Sequence, residues 1–92
     1  MPEKHLRTAH SDVVNRLKRA HGHLLNVISM IENERACIDI AQQLHAVERA
    51  ISAAKKLVIH DHLDHCLDEI VGASPDLVSA SIAKFKEITK YL

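Results

Sequence analysis

Apolar residues recur along the chain at intervals of three and four, the period of an α-helix with one buried face. From Val13 the stripe runs through Leu17, Ala20, Leu24, Val27 and Ile31. Ser11 and Asp12 stand directly before it. Their side chains are of the kind that accepts hydrogen bonds from the unpaired N–H groups of a first turn, so the first helix is expected to begin there. The pattern fails at Asn33, Glu34 and Arg35, a polar break short enough for an antiparallel helix connection. From Cys37 a second stripe, Ala41, Leu44, Val47, Ile51, Ala54 and Val58, meets no breaker until Gly72, which predicts a helix longer than the globular average. Ser74 and Pro75 then supply a cap and a first-turn proline for a third helix along Val78, Ile82, Phe85, Ile88 and Leu92. Residues 1–10 show no stripe and are expected to form a flexible N-terminal arm.

Composition narrows the class. Ninety-two residues make one domain, residues 1–92, and two glycines with two prolines leave too little turn chemistry for an all-β fold. Trp is absent and Phe85 and Tyr91 stand alone among Phe, Trp and Tyr, so the core must be aliphatic. Lys and Arg total 12 and Asp and Glu total 12, which excludes a polybasic coat or an acidic tail and makes any nucleic-acid patch a local one. No segment approaches the ~20 continuous apolar residues of a membrane span, and residues 1–11 lack a signal peptide's apolar stretch. The expectation is a cytoplasmic protein with no membrane partner. A helix of about thirty residues cannot be covered by two shorter helices of its own chain, so an obligate oligomer is expected, against the alternative of a self-contained three-helix bundle.

Eight histidines and two cysteines are the chemical outliers, and in a reducing compartment two cysteines point to metal or thiol chemistry before a structural disulfide. At ~100° per residue, His62 and Cys66 return to within roughly 20° of the direction of Cys37, along the apolar stripe. His45, His60 and His65 fall about 80° or more away, on flanks or toward solvent. His62 and Cys66 form an i, i+4 pair able to hold one ion. Cys37 lies about 37 Å away along the same helix at ~1.5 Å per residue, so it reaches that pair only from a second chain packed antiparallel. Two equivalent intersubunit sites follow. Core roles for the cysteines, or a loose surface patch of His60, Asp61, His62, Asp64 and His65, are the competing readings.

Two thiolates and an imidazole favour Cu(I), Zn(II), or Ni(II) if another nitrogen joins, and the lack of oxygen donors excludes Mg(II) and Ca(II). His5 in the N-terminal arm is a candidate fourth donor. Opposite the apolar stripe of the first helix run Arg16, Arg19, His23 and Asn26, with Lys18 on the flank and Gly22 allowing close approach. This local basic strip suits phosphates of double-stranded DNA. Arg49, Lys55 and Lys56 would extend it, although Glu48 interrupts, and the absence of interleaved aromatics disfavours RNA or single strands.

These residues together resemble the CsoR/RcnR family of metal-responsive repressors, through Arg16–Leu24 (RLKRAHGHL), Met30–Ile51 (MIENERACIDIAQQLHAVERAI) and His60–Cys66 (HDHLDHC). The resemblance spans nearly the whole chain. It implies an all-α fold: a three-helix protomer with a long central helix, paired antiparallel into a dimer with a four-helix bundle, and a dimer of such dimers. It also implies a homotetramer that binds operator DNA without metal and releases it when an intersubunit site fills. Cys37, His62 and Cys66 match the family's Cys, His, Cys ligand set, and His5 falls at the N-terminal histidine position of its nickel and cobalt sensors. The full set looks most like a nickel sensor, with copper close behind. Arg16, Lys18 and Arg19 match basic positions associated with DNA. His23 stands where glutamine is common, His45 where alanine is common, and Glu48 where arginine is common, with Arg49 one place later.

The expected function is therefore a repressor that leaves duplex operator DNA on binding Ni(II) or Cu(I), with Zn(II) as a further candidate metal. A repressor sensing formaldehyde through Cys37, with Pro2 as amine partner, or persulfide through Cys37 and Cys66, is one alternative. A metal buffer without DNA is another. No grouping of nucleophile, base and oxyanion donors supports an enzyme.

Overall fold

The computed structural model describes the backbone of residues 2–92 and the side chains of residues 10–92. Three helices follow one another: α1 over Pro2–Glu32, α2 over Cys37–Ile70 and α3 over Pro75–Ile88, with a 3-10 turn at Thr89–Tyr91. Among the described residues there is no strand.

The first helix begins at Pro2 and not at Ser11. Residues 2–10 contain no glycine and keep their one proline at the first helical position, where its missing N–H costs nothing. They lack an apolar stripe, which is why periodicity does not reveal them. Asp12, expected near a cap, instead sits inside the helix, and its Oδ2 accepts from Arg16 Nε at 3.3 Å one turn on.

The turn between α1 and α2 reverses the chain by hydrogen bonds at the helix end. Glu34 takes a left-handed φ of +56°, Arg35 N–H donates to Met30 O at 3.0 Å, and Glu34 N–H donates to Ile31 O at 3.1 Å. That pair of bonds is a Schellman closure, built here on glutamate where glycine is usual. Asn33 adds a side-chain bond to Ser29 O at 2.8 Å. At the other end of α2, Val71 at φ −65°, ψ 116° and Gly72 at φ +74° form a type II turn closed by Ala73 N–H to Ile70 O at 3.2 Å. Ser74 then caps α3, its Oγ accepting from Leu77 N–H at 3.4 Å.

The intramolecular core is a narrow seam. Val13, Ala20 and Val27 of α1, seven residues apart, are buried, as are Val47 and Ala54 of α2 on the helix against which α1 packs. Next to this seam each helix keeps a second apolar line that no described residue covers: Leu17, Leu24 and Ile31 on α1, Leu44, Ile51 and Val58 on α2. The result is a rod of 60 × 25 × 14 Å with a radius of gyration of 18.2 Å, where a compact chain of this length would have about 12 Å. Its accessible surface is 7027 Å², against roughly 5,400 Å² for a compact monomer of this mass.

Candidate functional site

Cys37, the first residue of α2, is exposed, whereas His62 and Cys66 lie at the far end of the same helix, where α3 packs back. Cys66 is 1% exposed. The helical wheel places all three on one line, but it has no knowledge of α3: the third helix covers this end of α2 and encloses Cys66 within its own protomer. His62 is half-buried and lines a groove of about 250 Å³ with Lys84, Glu87, Ile88 and Tyr91.

Burial pushes the Cys66 thiol above its ordinary value. The Glu69 carboxylate pushes it further the same way, and Lys84 pulls against both. The thiol is thus protonated in the metal-free protein at neutral pH. Glu69 is itself tethered on both oxygens: buried Ser81 donates Oγ to Oε2 at 3.0 Å, and His65 Nε2 meets Oε1 at 3.0 Å. His65, which the wheel puts on a flank or toward solvent, is half-buried in this network. Ser81 was legible in principle as a polar residue on α3's apolar stripe, three residues after Val78 and four before Phe85. Its partner was not.

His45 and His60 are exposed. His60, Asp61, His62, Asp64 and His65 do not converge as a patch: among the described residues no three His, Cys, Asp or Glu side chains gather where one ion would bind. His5 lies outside the residues whose side chains are described. The donors on α2 fit a soft or borderline ion by type, two sulfurs and a nitrogen, and a single chain holds them apart.

The basic strip occupies the crevice between α1 and α2. Arg16, Arg19, Ala20, His23 and Ala50 line a groove of about 320 Å³. Arg16 continues into an adjoining groove with Ala53, Lys56, Leu57 and His60. Lys18 is exposed. Arg49 does not join them: it lines a separate groove with Glu48, Ile51, Ser52 and Lys55. One residue is about 100° of helix, so Ala50 faces the crevice while Arg49 sits on its flank, about 160° from Ile51 and the uncovered apolar line. Lys56 is what α2 contributes to the crevice. A contact that sequence reasoning missed crosses between the helices, where His23 Nε2 donates to Gln43 Oε1 at 2.6 Å.

Residues 9–92 match the family described as metal-sensitive transcriptional repressor. The chain belongs to this family. The metal-sensitive transcriptional repressors are repressors and not enzymes. Among similar members are the copper-sensing transcriptional repressor CsoR of Bacillus subtilis, 34% identical over 85% of this chain and 79% of that protein, and CsoR of Mycobacterium ulcerans, 40% identical over 63% of this chain. The chain spans about half the length of that mycobacterial relative, 50%. The solved structure of the nickel-responsive transcriptional regulator InrS superposes with a TM-score of 0.79 at 27% identity, over 88% of this chain and 89% of that one. The three-helix, all-α architecture is that of the family. No helix among the described residues is long and apolar enough to cross a membrane.

Proposed function

We propose that this chain is a metal-responsive transcriptional repressor that holds duplex operator DNA when metal-free and releases it when Cu(I) or Ni(II) binds between two protomers. The observation that carries the reading is the pairing of an exposed Cys37 at one end of α2 with His62 and buried Cys66 at the other, joined by an uncovered apolar line. Leu44 and Val58 lie seven residues on either side of Ile51. An antiparallel copy crossing at Ile51 would therefore seat Leu44 on Val58 and bring Cys37 to the turn that holds His62 and Cys66. The surface in excess of a compact monomer, about 1,700 Å², is ample for such a contact, since a standard interface takes about 800 Å² per partner. The uncovered line on α1 enlarges the same face into a four-helix bundle.

Cys37 from one protomer and His62 and Cys66 from its partner would hold the ion, with His5 as fourth donor in a nickel site. Soft donors of this set suit Cu(I), the metal named for the CsoR relatives, and a second nitrogen as fourth donor suits Ni(II), the metal named for InrS. Bound metal would supply a crosslink between the ends of two antiparallel α2 helices. The chain's own part is to convert that tie into a change at the DNA face. Arg16, Arg19 and Lys56 lie in a crevice between α1 and α2, so a shift of one helix along the other alters the spacing of the cations that meet phosphates. By linkage, duplex and metal weaken each other's binding by the same factor. The raised thiol of Cys66 works against thiolate sensing and suits a ligand that loses its proton on metal capture.

Mixing chains tests the shared site. Cys37→Ala and His62→Ala homodimers should each lose tight metal binding. Their mixture should recover one intact site per heterodimer, because one chain still offers Cys37 while the other offers His62 and Cys66. No recovery in the mixture, with heterodimer formation shown by mass spectrometry, would refute ligands drawn from two chains.

A further inference from the structure

The contact between His23 and Gln43 lies outside the metal ligands and outside the arginine strip, yet it sits in the same crevice. His23 follows Arg19 by four residues and Arg16 by seven, so all three share one face of α1. They line one groove, with Ala20 and Ala50 as its floor. Small floor residues leave the groove open to a ligand the width of a phosphodiester.

Gln43 decides what the imidazole presents to that groove. Its Oε1 accepts from His23 Nε2–H at 2.6 Å, so the neutral ring carries its hydrogen on Nε2 and a bare lone pair on Nδ1. A lone pair repels a phosphate oxygen. A second proton turns Nδ1 into a donor with a positive charge, and the bond to Gln43 survives because Nε2–H donates in both states. The charged groups around the ring are Arg16 and Arg19 on α1, Asp39 one turn before Gln43 on α2, and Lys56 and His60 in the adjoining groove. An incoming phosphate oxygen favours the doubly protonated ring, which meets it with a donor and a positive charge.

We propose that His23, held by Gln43, is a phosphate-contacting residue that takes up a proton as the duplex backbone enters the Arg16–Arg19 groove. Gln43 is the positioning residue. The inference rests on the DNA-binding reading above and deepens it, making affinity for DNA depend on pH through one side chain.

The test uses the full-length, metal-free protein and a fluorescent duplex of mixed sequence, about 30 base pairs long, titrated between about 50 and 200 mM salt at about pH 6 and about pH 8. Wild type is expected to bind several-fold more tightly at the lower pH, with the slope of log affinity against log salt steeper by about 0.9 for each His23 engaged. His23→Gln should keep the higher-pH affinity and lose the low-pH gain and the added slope. Gln43→Leu should lose most of the gain while retaining its helical circular dichroism. Arg16→Ala reports the DNA reading separately, since it should lower affinity and slope at both pH values. If His23→Gln keeps the wild-type pH response, the inference is wrong while duplex binding stands. If wild type fails to bind the duplex at either pH at the lowest salt, both are wrong.

Discussion

Burial holds the Cys66 proton on sulfur, with consequences for both folding and metal capture. In the unfolded chain this thiol ionises near its ordinary value of 9.0, and in the fold it ionises higher. Below 9.0 the fold has the full benefit. As pH rises toward and through the folded value, the unfolded chain sheds the proton first and stability falls. Urea midpoints of the metal-free protein should therefore drop more steeply between about pH 8.5 and 10 for wild type than for Cys66→Ser, near the ordinary thiol range. Metal capture responds the other way. If Cys66 is a ligand as proposed, it must bind as a thiolate, so affinity for metal should rise with pH across the neutral range, with proton release visible in weakly buffered titrations. A metal affinity independent of pH would place Cys66 outside the site.

At the scale of elements, the helices themselves follow from apolar periodicity, and the two turns decide where their faces point. Glu34 closes α1 in the left-handed region, a conformation that costs a side-chain-bearing residue about 1–2 kcal/mol and glycine little. Glu34→Gly should raise the thermal midpoint at fixed protein concentration, by several degrees if roughly 1 kcal/mol is recovered in a chain of this size. Gly72→Ala tests the opposite case. The type II turn needs φ of +74° there, and although open space surrounds the new methyl group, the backbone penalty of about 1–2 kcal/mol remains. The α3 docking that depends on this turn should loosen, seen as faster hydrogen exchange around Cys66 and Ser81. Unchanged exchange in Gly72→Ala would show that α3 is held by its packing alone.

The whole molecule is a thin rod with an apolar side that no described residue covers, the side on which the proposed partner would pack. Ile51 marks the centre of the α2 line, 46% exposed in the single chain. A carboxylate there would meet its own symmetry mate across an antiparallel dimer, so Ile51→Glu should yield monomers in sedimentation velocity and lose tight metal binding and duplex binding together. An Ile51→Glu protein that stays oligomeric with intact metal affinity would remove the proposed crossing point. The same substitution separates assembly from ligation, since Cys37→Ala should leave oligomerisation and DNA binding intact while ending the response to metal.

The three helices, their order, the break at Asn33–Arg35 and the cap at Ser74 follow from residue spacing, because a helix advertises its buried face locally every three or four residues. So does the placing of Cys37, His62 and Cys66 along one line of α2 and of Arg16, Arg19 and His23 along one face of α1, since helical geometry fixes which side chains share a line. The start of α1 was hidden because residues 2–10 carry no apolar stripe for periodicity to read. Three further features belong to tertiary structure: the enclosure of Cys66 under α3, the network of His65, Glu69 and Ser81, and the separation of Arg49 from the Arg16 crevice. Each depends on which helix lies against which side of α2, and that is settled by two turns and by packing between residues distant in the chain. One helix carries several faces, and its own sequence does not say which neighbour will cover each.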